Sequence, residues 1–349
     1  MIADVAGGIL LAGLTLYAAL GGADFGGGLW DLLAGGDRRG AAPREFIEQT
    51  ITPVWEANHV WLVFALVIFW TAFPAAFAAV MTTDALPLWL ALLGIVLRGA
   101  GFAFRKEVAR LALRRAFGAA FALSSLLTPF FMGTVIGSIA TRHVPAAGAH
   151  ASVAAWTSTT SILIGLLFTG ACGYLAAVFL TSEATRRDAP AMRRYFTWRA
   201  QAAGAVTGAL SLATLAELDR ANPGLLHHLT GRALPLVIVT AACGVAVLVL
   251  LATGRPVWVR VLAALGVTTV IWGWGVAQYP AVLPGTAVTL ANAGAPHSTL
   301  VALTVVFAAA VLLVGPSFGL LFALHGRQVL TEGDPPPAAA LRPRRPGRS

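Results

Sequence analysis

The chain has 349 residues, 58% of them apolar and only 11% charged, with a mean hydropathy of +0.78. Soluble domains carry about a quarter charged residues, so a soluble globule, a disordered chain and a nucleic-acid module reading through a basic patch are excluded despite the formal charge of +9. The 37 glycines follow no Gly-X-Y period, which excludes collagen. Hydrophobic runs bounded by charge predict an all-α polytopic membrane protein with nine transmembrane helices, at 5–33, 53–81, 85–104, 117–140, 157–181, 200–216, 233–253, 257–279 and 299–324. Most exceed the roughly 20 residues that cross about 30 Å of hydrocarbon. The sixth is the shortest. No cleavable signal peptide is expected, because the start lacks basic residues and the first run is too long for a signal core. Residues 1–330 read as a single integral-membrane domain and 331–349 as a disordered cytoplasmic tail rich in Pro, Ala and Arg.

Positive charge orients the spans. Three Arg fall in the first loop, five Lys or Arg between Arg105 and Arg115, five Arg between Arg186 and Arg199, two at Arg255 and Arg260, and five from Arg327 onward. These 20 of the 24 basic residues lie on one side, against Arg142, Arg220 and Arg232 on the other, while Arg98 lies inside the third span. The bias predicts an external N-terminus and a cytoplasmic C-terminus. The clusters themselves read as topology determinants and lipid head-group contacts.

Ionisable residues at membrane depth are costly unless paired or hydrated, so each is a candidate functional group. Four stand out: Asp24, Glu56, His59 and Arg98. At 1.5 Å per residue, Asp24 lies about 28 Å along a first span entered from outside, and Arg98 about 20 Å along the third. The second span is expected to start on the cytoplasmic side at Pro53 with Thr52 as cap, leaving Glu56 about 5 Å and His59 about 9 Å in. Glu56 and His59, three apart, share a helical face. Two readings stay open: a structural ion-pair cluster in which Arg98 neutralises Asp24 or Glu56, and a proton entrance with Glu56 as relay and His59 as a second relay candidate. A single Glu-x-x-His does not make a di-iron site, which needs two such motifs and two further acids. Cys172 and Cys243 sit in apolar spans and read as small core hydrophobes; no C-x-x-C-H haem attachment occurs. The run Gly21-Gly22-Ala23-Asp24-Phe25-Gly26-Gly27-Gly28 lacks the Lys-Ser/Thr of a phosphate loop and reads as close helix packing around Asp24. Most of Trp55, Trp61, Trp70, Trp89, Trp272 and Trp274 read as interfacial anchors.

These residues carry a resemblance. Pro53-Val54-Trp55-Glu56-Ala57-Asn58-His59-Val60-Trp61 resembles the P-x-W-[DE]-x-N-x-x-W signature of the second subunit of cytochrome bd-type quinol oxidases. Gly22 to Gly28 resembles that family's G-F-D-x-G-x-G, and Phe73-Pro74, Leu97-Arg98-Gly99, Gln278-Tyr279-Pro280, Leu283-Pro284, Asn292-Ala293 and Ala295-Pro296 follow in the family's order. The resemblance implies two four-helix bundles plus one additional helix. It also implies a multi-pass protein of the bacterial cytoplasmic membrane, paired as a heterodimer with a haem-bearing subunit I and leaving room for a small accessory subunit. Haems b and d would belong to that partner, quinol would be the substrate, and dioxygen would be reduced to water with protons drawn from the cytoplasm. This chain would bind no stoichiometric haem, no metal and no nucleic acid. The resemblance places Glu56 at the family's proton-pathway acid, Trp55, Asn58 and Trp61 at framework positions, and Asp24 and Arg98 at the first-span acid and third-span arginine. Glu at 56, Ala57 and His59 depart from the commoner residues, and Gly21 stands where an acid is common. A secondary transporter with an ion site near the midplane and a purely structural scaffold are the alternatives.

Overall fold

The computed structural model describes residues 1–36, 38–107, 111–146 and 149–326, so the expected tail lies outside the described residues. Thirteen helices follow in order: α1 (Ile2–Leu32), α2 (Ala41–Ala72), α3 (Pro74–Thr83), α4 (Ala85–Glu107), α5 (Leu111–Ala140), α6 (Val153–Trp156), α7 (Thr159–Arg186), α8 (Pro190–Ala221), α9 (Pro223–Thr230), α10 (Leu234–Ala252), α11 (Val259–Gln278), α12 (Leu290–Ala293) and α13 (His297–Gly326). Nothing longer than an isolated bridge between Ala281 and Thr289 pairs as strand among the described residues. Five helices (α1, α5, α7, α10 and α11) are long and apolar enough to cross a membrane, and the bent pair α2–α3 is a sixth candidate. The chain is a multi-pass membrane protein. α1 is apolar around its whole circumference, as a helix with no water-facing side must be.

Two expected spans change shape. The second does not begin at Pro53 and run to 81: α2 begins twelve residues earlier, at Ala41, and ends at Ala72. Pro53 therefore lies inside a helix, and Glu56 lies about 22 Å along α2 instead of in its first turns. The stretch 41–50 is helical but charged, so a hydropathy reading passes over it. At Phe73 the chain turns by 117° into α3. Phe73 precedes a proline and sits at φ −134°, ψ 60°, outside the helical region that Pro74 sterically disfavours for it. Pro74 then takes the first position of α3, where its missing N–H costs nothing. The carbonyl of Ala72, left over at the break, accepts from the Ala295 amide at 2.8 Å. The sixth span, expected at 200–216, is part of a 32-residue helix that starts at Pro190. Its polar turns are good helix formers that hydropathy does not register.

Residues 1–300 form one compact unit, and a second begins at Val301. Within the first, α1 packs against α2, α5 and α7; α4 against α5; α7 against α8; and α10 against α11. The largest core joins Trp30, Phe46 and Ile51 to Leu175–Leu180, Phe196, Val247 and Val259. α1 and α7 thus form the spine on which the other helices lie.

Candidate functional site

Three helices converge on one buried ion pair. Asp24 on α1 and Arg98 on α4 are each 1% exposed, with Arg98 Nη2 2.5 Å from Asp24 Oδ1. Nε donates to Asp24 Oδ2 at 3.3 Å, and Nη2 also donates to the Asp24 carbonyl at 2.7 Å. Nη1 donates to Ser125 Oγ on α5, and that hydroxyl donates on to the Phe121 carbonyl at 2.6 Å. The guanidinium lies over the rings of Phe121 and Phe25, 4.4 and 5.1 Å from their centroids. Fork-on-carboxylate geometry and two ring faces offset the cost of removing both charges from water. The sequence left open which acid neutralises Arg98. It is Asp24.

The glycine run makes this approach feasible. A Cβ on Gly28 would run into Ser125 Oγ and lie 2.8 Å from Arg98 Nη1. One on Gly26 would run into the Cys172 carbonyl of α7, and one on Gly21 would sit 2.7 Å from Asn58 Oδ1 of α2. The run is helical throughout and carries no phosphate-loop turn. Small residues let four helix backbones close around Asp24.

Around this pair lie the motif residues of α2. Asn58 is fully buried, and neither its Oδ1 nor its Nδ2 has a hydrogen-bond partner among the described residues. Trp61 packs against a buried cluster of Tyr17, Phe25 and Cys172, with its ring 6.0 Å from that of Phe64. The side chains of Trp55, Glu56 and His59 lie outside the described residues, although the α2 backbone runs through them. Cys172 and Cys243 are free thiols in the core. Trp70 and Trp89 are 64% and 68% exposed, as membrane-facing anchors are. Trp274 is not one of these: it packs against the cluster of Ala140, Leu218, Leu225 and Ala277, with its indole N–H buried.

Sequence reasoning missed three buried acids: Asp31, which pairs with Arg44, Glu183, which pairs with Arg186 and Arg187, and Asp84. Asp84, between α3 and α4 and outside the spans, is fully buried and accepts from Ser138 Oγ of α5 at 2.5 Å. Burial pushes its carboxyl up to about 6, with the Ser138 hydroxyl working against the shift. At the edge of an apolar run it reads as a loop aspartate, and only the turn between α3 and α4 buries it. Among the described residues no group of three or more His, Cys, Asp or Glu converges as a metal site.

The family model described as cytochrome bd terminal oxidase subunit II matches residues 2–325. The chain belongs to that family. The cytochrome bd ubiquinol oxidase subunit 2 of Bacillus subtilis (strain 168) is 30% identical over 177 residues, which is 50% of this chain and 51% of that protein. The cytochrome bd-I ubiquinol oxidase subunit 2 of Escherichia coli (strain K12) is 26% identical over 132 residues, 38% of this chain and 33% of that protein. The matched stretch thus spans about half of the first relative and a third of the second. In fold, the structure is similar to a chain of the bd oxidase from Geobacillus thermodenitrificans, with a TM-score of 0.73 and 22% identity over 93% of this chain and 98% of that one. In this bd subunit II the Asp24–Arg98 pair lies beside the Gly21–Gly28 run of α1, with Asn58 and Trp61 of α2 packed close by.

Proposed function

We propose that the chain is the haem-free half of a bd-type quinol oxidase in the bacterial cytoplasmic membrane. It would form a heterodimer with a haem-bearing subunit I that oxidises quinol and reduces dioxygen to water. Nine of its helices have 19 residues or more among those described, which supports nine crossings. The helices pack as successive pairs, α1 on α2, α4 on α5, α7 on α8 and α10 on α11, with α7 also against α1 and α5; the two four-helix bundles with α13 as the ninth helix are what the family resemblance implies for this arrangement. The haems b and d are assigned to the partner, and no step is routed through this chain's own residues to a metal. The transporter reading is not favoured, because the family match runs from residue 2 to residue 325.

This chain's chemical contribution is a proton-uptake path at Glu56. The observation that carries it is the Arg98–Asp24 pair: Arg98 already has its carboxylate, so Glu56 is not required as its counter-ion. Asn58 of the same motif keeps a buried amide with no protein partner among the described residues. A buried polar group in that state is a hydrogen-bonding position suited to a hydrated route. His59 stands on the same face of α2 as a second relay. Asp24 and Arg98 then position α1 and α4 around the route.

Glu56→Gln keeps shape and hydrogen bonding but cannot exchange a proton. The complex should assemble with normal haem content yet consume oxygen with quinol at least about tenfold more slowly. Glu56→Asp, which restores an exchangeable carboxyl, should keep most activity. Oxygen uptake per haem, measured in purified membranes across about pH 5.5 to 8.5, reads both outcomes. Unchanged turnover in Glu56→Gln would return Glu56 to a structural role.

A further inference from the structure

The α8–α10 face carries a basic cleft that the oxidase reading does not use. It has a volume of about 330 Å³ and is lined by Arg193, Arg194, Thr197, Trp198 and Gln201 on α8, facing Leu251 and the turn that joins α10 to α11. We propose that this cleft binds the phosphate of an anionic phospholipid head group. Its basis is independent of the reaction the complex performs.

The donor set is the first argument. Two guanidinium groups and the Gln201 amide line one cleft, beside a Thr197 hydroxyl that donates to the Arg193 carbonyl at 2.7 Å, and planar guanidinium forks match the oxygens of a phosphodiester. Charge is the second. Arg193 and Arg194 are exposed, and among the described residues neither has a carboxylate partner. The acid nearest in the core, Glu183, is held by Arg186 and Arg187 at 2.7 Å each. The first turn of α8 contains no acidic residue to balance the pair. A topology signal alone needs basic residues only on the correct side; it does not need two of them in one cleft with Thr197 and Gln201.

The surroundings identify the occupant as a lipid. Trp198 is 68% exposed at the cleft, and Val257 and Trp258 beside the turn are 76% and 64% exposed. Large apolar and indole surface beside a basic pocket is what the head-group boundary of a bilayer accommodates. The buried Leu251 and Pro256 give the cleft an apolar floor at the end of a 19-residue membrane helix. A phosphate bound there would therefore have its acyl chains alongside α8 and α10.

The test uses the complex purified from its own membrane in mild detergent and stripped of loosely held lipid. Native mass spectrometry counts bound phosphatidylglycerol, with phosphatidylcholine as the zwitterionic comparison and inorganic phosphate as competitor. Arg193→Gln with Arg194→Gln should weaken one phosphatidylglycerol site about thirtyfold, the product of two surface cation contributions. Arg38→Gln with Arg39→Gln removes the same charge from the α1–α2 loop, which does not line the cleft, and should leave that site unchanged. Should the double cleft variant fail to assemble, Gln201→Leu keeps every charge and should still weaken the site about fivefold. Wild-type occupancy in whichever cleft variant assembles would overturn the proposal, as would equal binding of phosphatidylcholine. Displacement of the lipid by millimolar inorganic phosphate would also overturn it, by making a free anion the ligand.

Discussion

The Asp24–Arg98 pair is balanced, and its balance predicts an asymmetry. Removing one partner of a buried pair leaves an uncompensated charge, which costs about 3–5 kcal/mol, whereas replacing both can be nearly neutral. Arg98→Gln should therefore sharply reduce the amount of assembled complex. Asp24→Asn combined with Arg98→Gln should recover most of it, as read by haem-containing complex per unit membrane and by its melting temperature. Recovery in the double variant no better than in Arg98→Gln would mean that Arg98 acts through something other than Asp24. Asp84 makes a pH prediction. Its folded value of about 6 lies above the ordinary 3.8, so the native state holds this proton more tightly than the unfolded chain does. The stabilisation it contributes is complete below about pH 4 and is lost as pH rises to about 6. Asp84→Asn should flatten that part of the melting-temperature profile, and an unchanged slope would show that Asp84 does not titrate there. Asp24 and Arg98 were legible in the sequence because charges at membrane depth are rare. Ser125 was not, because a hydroxyl in a membrane helix commonly bonds its own preceding turn, as Ser124 and Thr134 do. Nothing in sequence distinguishes the hydroxyl that also meets a guanidinium.

At the scale of helices, glycine decides how closely two backbones approach. Gly26 on α1 meets the Cys172 carbonyl of α7, where an added methyl has backbone in its way and no flexible side chain to displace. Gly208 on α8 has nothing within 4 Å of where its Cβ would lie. Gly26→Ala should thus destabilise the fold by about 1–3 kcal/mol through overpacking. Gly208→Ala should be neutral or stabilising by up to about 1 kcal/mol, through lower backbone entropy in the unfolded chain. Melting temperatures of the two variants check the pair, and equal values would contradict the α1–α7 contact. This explains why the glycine motif was legible as packing and its partner was not: composition shows that a surface is smooth, and only the fold shows that α7 lies on it. Helix ends followed the same logic. The start of α4 at Ala85 and the end of α5 at Ala140 coincide with the expected ones, because charge or loop residues bound them. The starts of α2 and α8 were misplaced because helix continues into water through charged turns, and hydropathy measures solvent rather than conformation.

For the whole molecule, the minority of basic residues on the expected external side is as informative as the majority. Arg142 donates to Asn222 Oδ1 at 2.6 Å, Arg220 pairs with Glu217 at 3.3 Å, and Arg232 donates to the Ala277 carbonyl at 2.6 Å and to that of Tyr279. Each of the three exceptions thus does something structural nearby: Arg142 fastens α9 to the end of α5, Arg220 closes the last turn of α8, and Arg232 holds the carbonyls at the end of α11. Basic residues retained for such contacts do not weaken an orientation signal set by the rest. On the opposite side Arg193, Arg194 and Arg255 are exposed with no ion-pair partner among the described residues, as expected where a cation serves to stay out of the bilayer interior. Arginines on the majority side are engaged as well, Arg44 with Asp31 and Arg186 and Arg187 with Glu183, so the orientation signal rests on the 20-to-3 count itself. A reporter fused after Arg327 should be active only in its cytoplasmic form, and one inserted between 285 and 296 only in its external form. Replacing Arg142 or Arg232 with Gln should loosen the loop they fasten without inverting either reporter, whereas charge removed across 186–199 should produce mixed orientation. If neutralising the external arginines shifted the reporters instead, the 20-to-3 bias would not be what orients the chain.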